Sequence, residues 1–163
     1  MWEEKLNNLQ NWYKGCIIKN EDHLDIYEYF GLNELKGNVL EIGAGHPKGH
    51  WLIDKLDNYT GVDPVPHDKR IIKGIGEDLP FANKAFNNVI CISTLQHCHD
   101  PVDVIHEMRR VCNGSVFITI FCSEVNSLIG HSFDEHSGMK LIERCFKIKK
   151  HTFYNQVLYV VAK

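Results

Sequence analysis

The chain has 163 residues, 44% of them hydrophobic, with 18 bases against 21 acids and a formal net charge of −3. That length makes one domain, residues 1–163, with room for a real core, and the interspersed charges give no footing for a nucleic acid or a membrane surface. No apolar run approaches membrane-spanning length, Met1-Trp2-Glu3-Glu4-Lys5 does not open a secretory leader, and the six cysteines form no Cys-x-x-Cys pair, so the expectation is a cytoplasmic protein whose cysteines act as small core hydrophobes.

Residues 2–14 fit a helix with Trp2, Leu6, Leu9 and Tyr13 near one face, and residues 22–30 fit a second with Leu24, Ile26, Tyr27 and Phe30. Gly37-Asn38 breaks before a short apolar strand made by Val39, Leu40 and Ile42. Gly43 and Gly45 then form a turn where side chains would block a ligand, and residues 49–56 open a helix. Such a turn lets backbone approach a nucleotide-like ligand, and a helix N-terminus adds partial positive charge. Residues 59–62 are a second strand ending in Asp63, an acid placed at the carboxyl end of a neighbouring parallel strand, where it can accept from both hydroxyls of a ribose.

Residues 70–73 are a third strand. Residues 88–93 are a fourth, buried on both faces because Val89, Ile90, Cys91 and Ile92 run without alternation. Asp100 caps a helix over residues 101–111 with Pro101 in its first turn, and Asn113-Gly114 ends it. Residues 115–121 are a fifth strand, 136–145 a helix, and 146–152 with 156–162 a closing hairpin. Arg144, Lys147, Lys149 and Lys150 read as a solvated strand edge.

Strands separated by helices predict an α/β fold: a Rossmann-like three-layer αβα sandwich with a mostly parallel sheet closed by the antiparallel hairpin. A helical cap over residues 1–36 precedes a core over 37–163. Ligands bind such sheets beyond the carboxyl ends of the strands. A dinucleotide dehydrogenase would continue with a second parallel half, whereas this sequence turns to antiparallel strands.

Glu41-Ile42-Gly43-Ala44-Gly45, Gly61-Val62-Asp63, and Glu77-Asp78-Leu79-Pro80-Phe81 with Phe86 resemble class I S-adenosylmethionine-dependent methyltransferases. So do Thr94-Leu95-Gln96-His97-Cys98-His99-Asp100-Pro101 and Glu107-Met108-Arg109-Arg110-Val111. The similarity is clearest over residues 38–121 and nearest to small type-11-like members. It implies S-adenosylmethionine as cofactor and S-adenosylhomocysteine as product. It also implies roles at the site: Gly43 and Gly45 admit the cofactor's methionine and ribose portions, Glu41 orients the loop or meets the methionine ammonium, and Asp63 holds the ribose diol. Gly76 and Glu77 lie by adenine, and Ser93 and Thr94 line the methionine end. Two positions depart from the family pattern. Pro47 stands where a third glycine is usual, with Gly49 just beyond, and Ile75 replaces an acid that would bind the adenine amino group, leaving backbone and apolar contact for the ring.

His97 and His99 follow the fourth strand within reach of a sulfonium in this fold. His97 is either a general base for a hydroxyl acceptor or a structural residue of the turn. His131 and His136 follow the fifth strand, where an acceptor would sit. His97, Cys98 and His99 match no common structural zinc spacing, so no metal is expected, and Trp12 and Tyr13 read as packing residues rather than a lid. The expected activity is methyl transfer to a small-molecule or glycan-type acceptor, with no nucleic-acid or membrane partner and the oligomeric state open. A catalytically silent S-adenosylmethionine-binding or partner-binding module is the second class, and a nicotinamide-dependent reductase the third.

Overall fold

The computed structural model describes residues 30–45, 56, 58–122, 131–154 and 156–163. The expected helices over 2–14 and 22–30, the packing residues Trp12 and Tyr13, the loop positions Pro47 and Gly49, and Cys16 lie outside the described residues, apart from Phe30. The strands are β1 (Val39–Ile42), β2 (Tyr59–Asp63), β3 (Ile71–Lys73), β4 (Phe86–Ile92), β5 (Cys112–Phe121), β6 (Ile148–Tyr154) and β7 (Val157–Ala162). Helices α1 (Pro101–Val111) and α2 (Glu135–Glu143) and two 3₁₀ turns, Leu32–Glu34 and Leu95–His97, complete the described elements.

One seven-stranded sheet runs in the order β3-β2-β1-β4-β5-β7-β6. The first five strands pair in parallel, and β7 then pairs antiparallel with both β5 and β6. This is the Rossmann-like sheet with a closing hairpin that the sequence predicts. The direction of winding reverses between β1 and β4, and there the carboxyl ends of the strands leave a crevice.

The period-2 alternation of the strands sorts the core. Leu40, Ile42, Val89, Cys91, Val116, Ile118, Leu158 and Val160 face α1 and α2, packing on Val104, Ile105, Met108, Leu141 and Ile142. Val39, Tyr59, Ile90, Phe117 and Tyr159 build the opposite layer with Leu32 and Phe30. Four of the five described cysteines (Cys91, Cys98, Cys112 and Cys122) are buried, and all five are free thiols, so they pack as small hydrophobes.

Helix α1 starts as expected: the Asp100 carboxylate accepts from the Val102 and Asp103 N–H groups at 2.8 and 3.3 Å, with Pro101 in the first turn. Asn113-Gly114, expected to end that helix, instead lies inside β5. A Cβ at Gly114 would overlap the Asn87 backbone carbonyl, so close approach of two strands, rather than a helix stop, demands this glycine. Nor do helices separate every strand pair. Residues 64–70 join β2 to β3 without a helix, and the short β3 pairs only with Gly61, Val62 and Asp63, so the chain has little distance to return.

The two sequence segments at 79–83 and 107–110 meet as one clamp. Arg110 forks onto Glu107 at 2.6 and 2.7 Å and donates to the backbone carbonyls of Leu79 and Phe81 at 2.9 and 2.6 Å. Glu107 in turn accepts from the Leu79 N–H at 2.8 Å. The guanidinium beside it holds the Glu107 carboxyl below its usual range. Replacing Arg110 with Ala is expected to destabilise the fold by roughly 2 kcal/mol, a fall of about 4–8 °C in the unfolding midpoint. Because Glu107 titrates low in the folded state, this contribution is present above the ordinary carboxylate value of 4.5 and fades as pH falls through the depressed one. Thermal denaturation of the two proteins at pH 7 and pH 3 checks this, and equal midpoints at pH 7 would remove the clamp from the list of stabilising contacts.

Candidate functional site

At the carboxyl edge of the sheet the turn after β1 is sewn to the end of β2. Gly43 and Ala44 donate their N–H groups to the Val62 carbonyl at 2.8 and 3.2 Å, and Gly45 donates to Asp63 Oδ2 at 2.8 Å. Gly43 and Gly45 take φ of 73° and 61°, the left-handed region open to glycine. A Cβ on Gly43 would overlap the Thr94 side chain, so the turn also rests directly on the residues after β4. These three N–H groups therefore have acceptors within the protein. A pyrophosphate-binding turn needs such donors free.

Asp63 is 1% exposed, and its second oxygen accepts from the Val65 N–H at 2.8 Å. Burial pushes its carboxyl up, opposed by the two backbone donors. The residue expected at a ribose thus also fixes the turn, and each oxygen, already accepting once, keeps a further lone pair.

Glu41 faces the same layer as Tyr59 and is 3% exposed, with its Oε2 accepting from the Tyr59 hydroxyl at 2.7 Å. Burial is the main cause that pushes the Glu41 carboxyl up to about 8, assisted by the negative charge of Asp63 and opposed by the tyrosine. It also pushes the Tyr59 hydroxyl up. Glu41 is therefore a neutral acid at pH 7.

The residues after β4 form the other wall. Ser93 sits at φ 45°, an uncommon conformation for a residue with a side chain, and its N–H is held by both the carbonyl and the hydroxyl oxygen of Thr119, each at 2.9 Å. Thr94 donates its hydroxyl to the Ile92 carbonyl at 2.8 Å. In the following 3₁₀ turn, Gln96 is 5% exposed and donates through Nε2 to the Ser93 carbonyl at 2.8 Å, while its Oε1 is buried and has no hydrogen-bond partner among the described residues. Nothing in the spacing of the sequence singled out Gln96; its signal is the mismatch between burial and satisfaction. His97, in the same turn, is half-buried, and burial lowers its pKa, so the imidazole is neutral at pH 7.

Two predicted cofactor residues sit on a supporting tier. Gly76 is buried where a Cβ would crowd Ile42 and Val104. Glu77 accepts from the His99 and Asp100 N–H groups at 2.7 and 3.3 Å, so it fixes the junction between the 3₁₀ turn and α1. His131 reaches the same junction, its Nε2 3.1 Å from the His99 carbonyl oxygen. His136 lies elsewhere, on the exposed side of α2, where an open cavity of about 640 Å³ is lined by Asp134, Glu135, His136, Met139, Lys140 and Glu143. Among the described residues, no three His, Cys, Asp or Glu side chains converge as a metal site. No described helix is long and apolar enough to cross a membrane.

The neutral Glu41 gives a pH test. Its folded pKa is raised, so its contribution is full below the unfolded value of 4.5 and is lost as pH rises through about 8. Glu41→Gln, neutral throughout, is expected to lose less stability than wild type between pH 5 and pH 8, by at least about 1.4 kcal/mol, one pKa unit's worth. Denaturant unfolding at the two pH values measures the difference. Parallel pH dependences would mean that Glu41 ionises normally.

Comparison with known proteins follows this geometry. A family model described as a methyltransferase domain matches residues 19–157. An uncharacterized protein of Methanocaldococcus jannaschii is 29% identical over 136 residues, 78% of this chain, and the match spans 60% of that protein's length. The crystal structure of a 1,6-didemethyltoxoflavin-N1-methyltransferase from Burkholderia thailandensis, with bound 1,6-didemethyltoxoflavin and S-adenosylhomocysteine, superposes with a TM-score of 0.74 at 15% identity, over 97% of this chain and 85% of that one. An S-adenosylmethionine-dependent methyltransferase from Aquifex aeolicus gives a TM-score of 0.72 at 14% identity, over 96% of both chains. At these identities the structural matches establish a shared fold. With the family match over most of its length, the chain belongs to the methyltransferase domain family.

Proposed function

We propose that the protein is an S-adenosylmethionine-dependent methyltransferase acting on a small-molecule or glycan-type acceptor. One observation carries this reading: the glycine turn, Asp63 and the Ser93–His97 segment converge at the carboxyl edge around the β1/β4 switch, with the N–H groups of Gly43, Ala44 and Gly45 already satisfied by β2. That arrangement suits a cofactor gripped through its ribose and amino-acid ends and disfavours a nicotinamide dinucleotide, whose pyrophosphate seeks free N–H groups. The residues also fit the cofactor chemically. Gly43 lets the turn pack directly against Thr94, Asp63 retains acceptor capacity for a diol, and a buried carbonyl on Gln96 awaits a donor.

S-adenosylmethionine held here would supply an electrophilic methyl group to an acceptor lone pair, with the C–S electron pair going to sulfur as S-adenosylhomocysteine and a proton lost from the acceptor. The protein's part is positioning and exclusion of water. Ser93 and Thr94 wall the methionine end, Gly76 and Glu77 underlie the adenine side, and His97 stands ready, as a neutral imidazole, to take the acceptor's proton. The Burkholderia neighbour, with bound 1,6-didemethyltoxoflavin and S-adenosylhomocysteine, supports a small-molecule acceptor. Free thiols at all five described cysteines support a reducing, cytoplasmic setting. Burial of Asp63 under its own turn favours, as a second reading, a silent cofactor-binding or partner-binding module. Formation of S-adenosylhomocysteine in an acceptor screen separates the two.

Thermal unfolding is expected to rise with S-adenosylmethionine or S-adenosylhomocysteine, by roughly 2.7 kcal/mol of stabilisation at a hundredfold excess over Kd, and to be unmoved by NAD or NADP. Asp63→Ala should weaken S-adenosylhomocysteine binding at least tenfold by removing charge-assisted acceptors, and should lower stability as well, since Gly45 and Val65 lose their partner. A shift with a nicotinamide cofactor alone, or full affinity in a folded Asp63→Ala protein, would overturn the assignment.

For His97 the expected outcome of His97→Ala is a turnover loss of about 10²-fold with cofactor affinity kept. Because burial lowers its pKa, the wild-type rate should climb at acid pH and level off before pH 7. Joint loss of stability and cofactor affinity would instead mark His97 as a structural residue of the turn. Normal turnover with normal affinity would exclude both roles.

A further inference from the structure

We propose that the Gln96 side-chain carbonyl accepts a hydrogen bond from the α-ammonium group of the S-adenosylmethionine amino-acid tail. This assignment rests on the cofactor reading above and adds a residue to it. The orientation of the amide follows from chemistry: the Ser93 carbonyl 2.8 Å away can only accept, so the nitrogen must face it and Oε1 must face the other way. Oε1 is then a buried acceptor with no donor among the described residues. Such a group is unfavourable to leave unmade, and a donor arriving with a ligand removes the penalty.

The location is set by the same bond. Gln96 is tied to Ser93, which is fixed to Thr119 at the end of β5 and precedes Thr94, and Thr94 lies against Gly43 of the glycine turn. The unmet carbonyl is therefore one amide away from the wall assigned to the methionine end. The other candidate for the ammonium is engaged elsewhere: Glu41 accepts from Tyr59 across β1 and β2 and is almost wholly buried. A primary ammonium carries three N–H donors and matches an acceptor-only group.

Titration calorimetry with three ligands tests the assignment. S-adenosylhomocysteine has the full tail, S-adenosyl-3-thiopropylamine keeps the amine and lacks the carboxylate, and 5′-methylthioadenosine lacks the tail altogether. Gln96→Leu is expected to weaken the first two about tenfold or more and leave the third within twofold of wild type. Unchanged affinity for the amine-bearing ligands, or an equal loss for all three, would overturn the proposal, the latter by showing that Gln96 only shapes the turn. If wild-type protein binds none of them, the cofactor reading fails first and this inference with it. A crystal structure of wild-type protein with S-adenosylhomocysteine answers the same question without a substitution. The proposal expects the ligand amine within 3.2 Å of Oε1, an ordinary hydrogen-bond distance, and Oε1 satisfied by water alone would contradict it.

Discussion

Three backbone N–H groups at the tip of β1 end on the last two residues of β2, and the carboxyl edge of the sheet is organised around that tether. It holds Gly43 and Gly45 in left-handed conformations, brings the turn against Thr94, and encloses the Asp63 carboxylate. The tether exists because the parallel register places Glu41 beside Gly61 and Ile42 beside Val62, so the residues that follow both strands emerge side by side. Gly61 completes the arrangement, since a Cβ there would crowd both Ala44 and the Tyr59 hydroxyl.

Buried polar groups mark where this domain departs from a plain hydrophobic sheet. Glu41, Asp63, Gln96 and Thr119 are the buried polar or charged side chains among the described residues, and all lie near the carboxyl ends of central strands or just beyond them. Glu41 is neutralised, Asp63 is capped by two backbone donors, and Thr119 holds the strained Ser93. Polar groups in a low-dielectric setting are expensive unless satisfied, and their concentration at one edge is what a binding site requires. The clamp of Arg110 and Glu107 ties residues 79–83 to α1 through the Leu79 N–H and the carbonyls of Leu79 and Phe81.

Much of this was legible in the sequence. The apolar runs, the Asp100-Pro101 helix start and the hairpin all carry local signals, and the structure places them within a few residues of expectation. Gly114 was misread because a helix stop and a close approach between strands call for the same residue, and only the position of Asn87 distinguishes them. The helix-free link between β2 and β3 depends on how short β3 is, which a run of three residues does not announce. At the site, residue types at Glu41, Asp63 and His97 were visible, while their states were not. Neutrality of Glu41 comes from burial, which outweighs the opposing hydrogen bond from Tyr59, and the unmet carbonyl of Gln96 comes from a bond to Ser93, both consequences of tertiary packing.

Hydrogen exchange of the wild-type protein with and without S-adenosylhomocysteine tests most directly whether this edge is the cofactor site. Ligand contact should slow exchange at residues 43–45, Asp63, Val65 and residues 93–98 while α2 and the β6–β7 hairpin stay unchanged. Protection confined to the open cavity along α2, or no protection at the carboxyl ends of β1, β2 and β4 under saturating ligand, would contradict it.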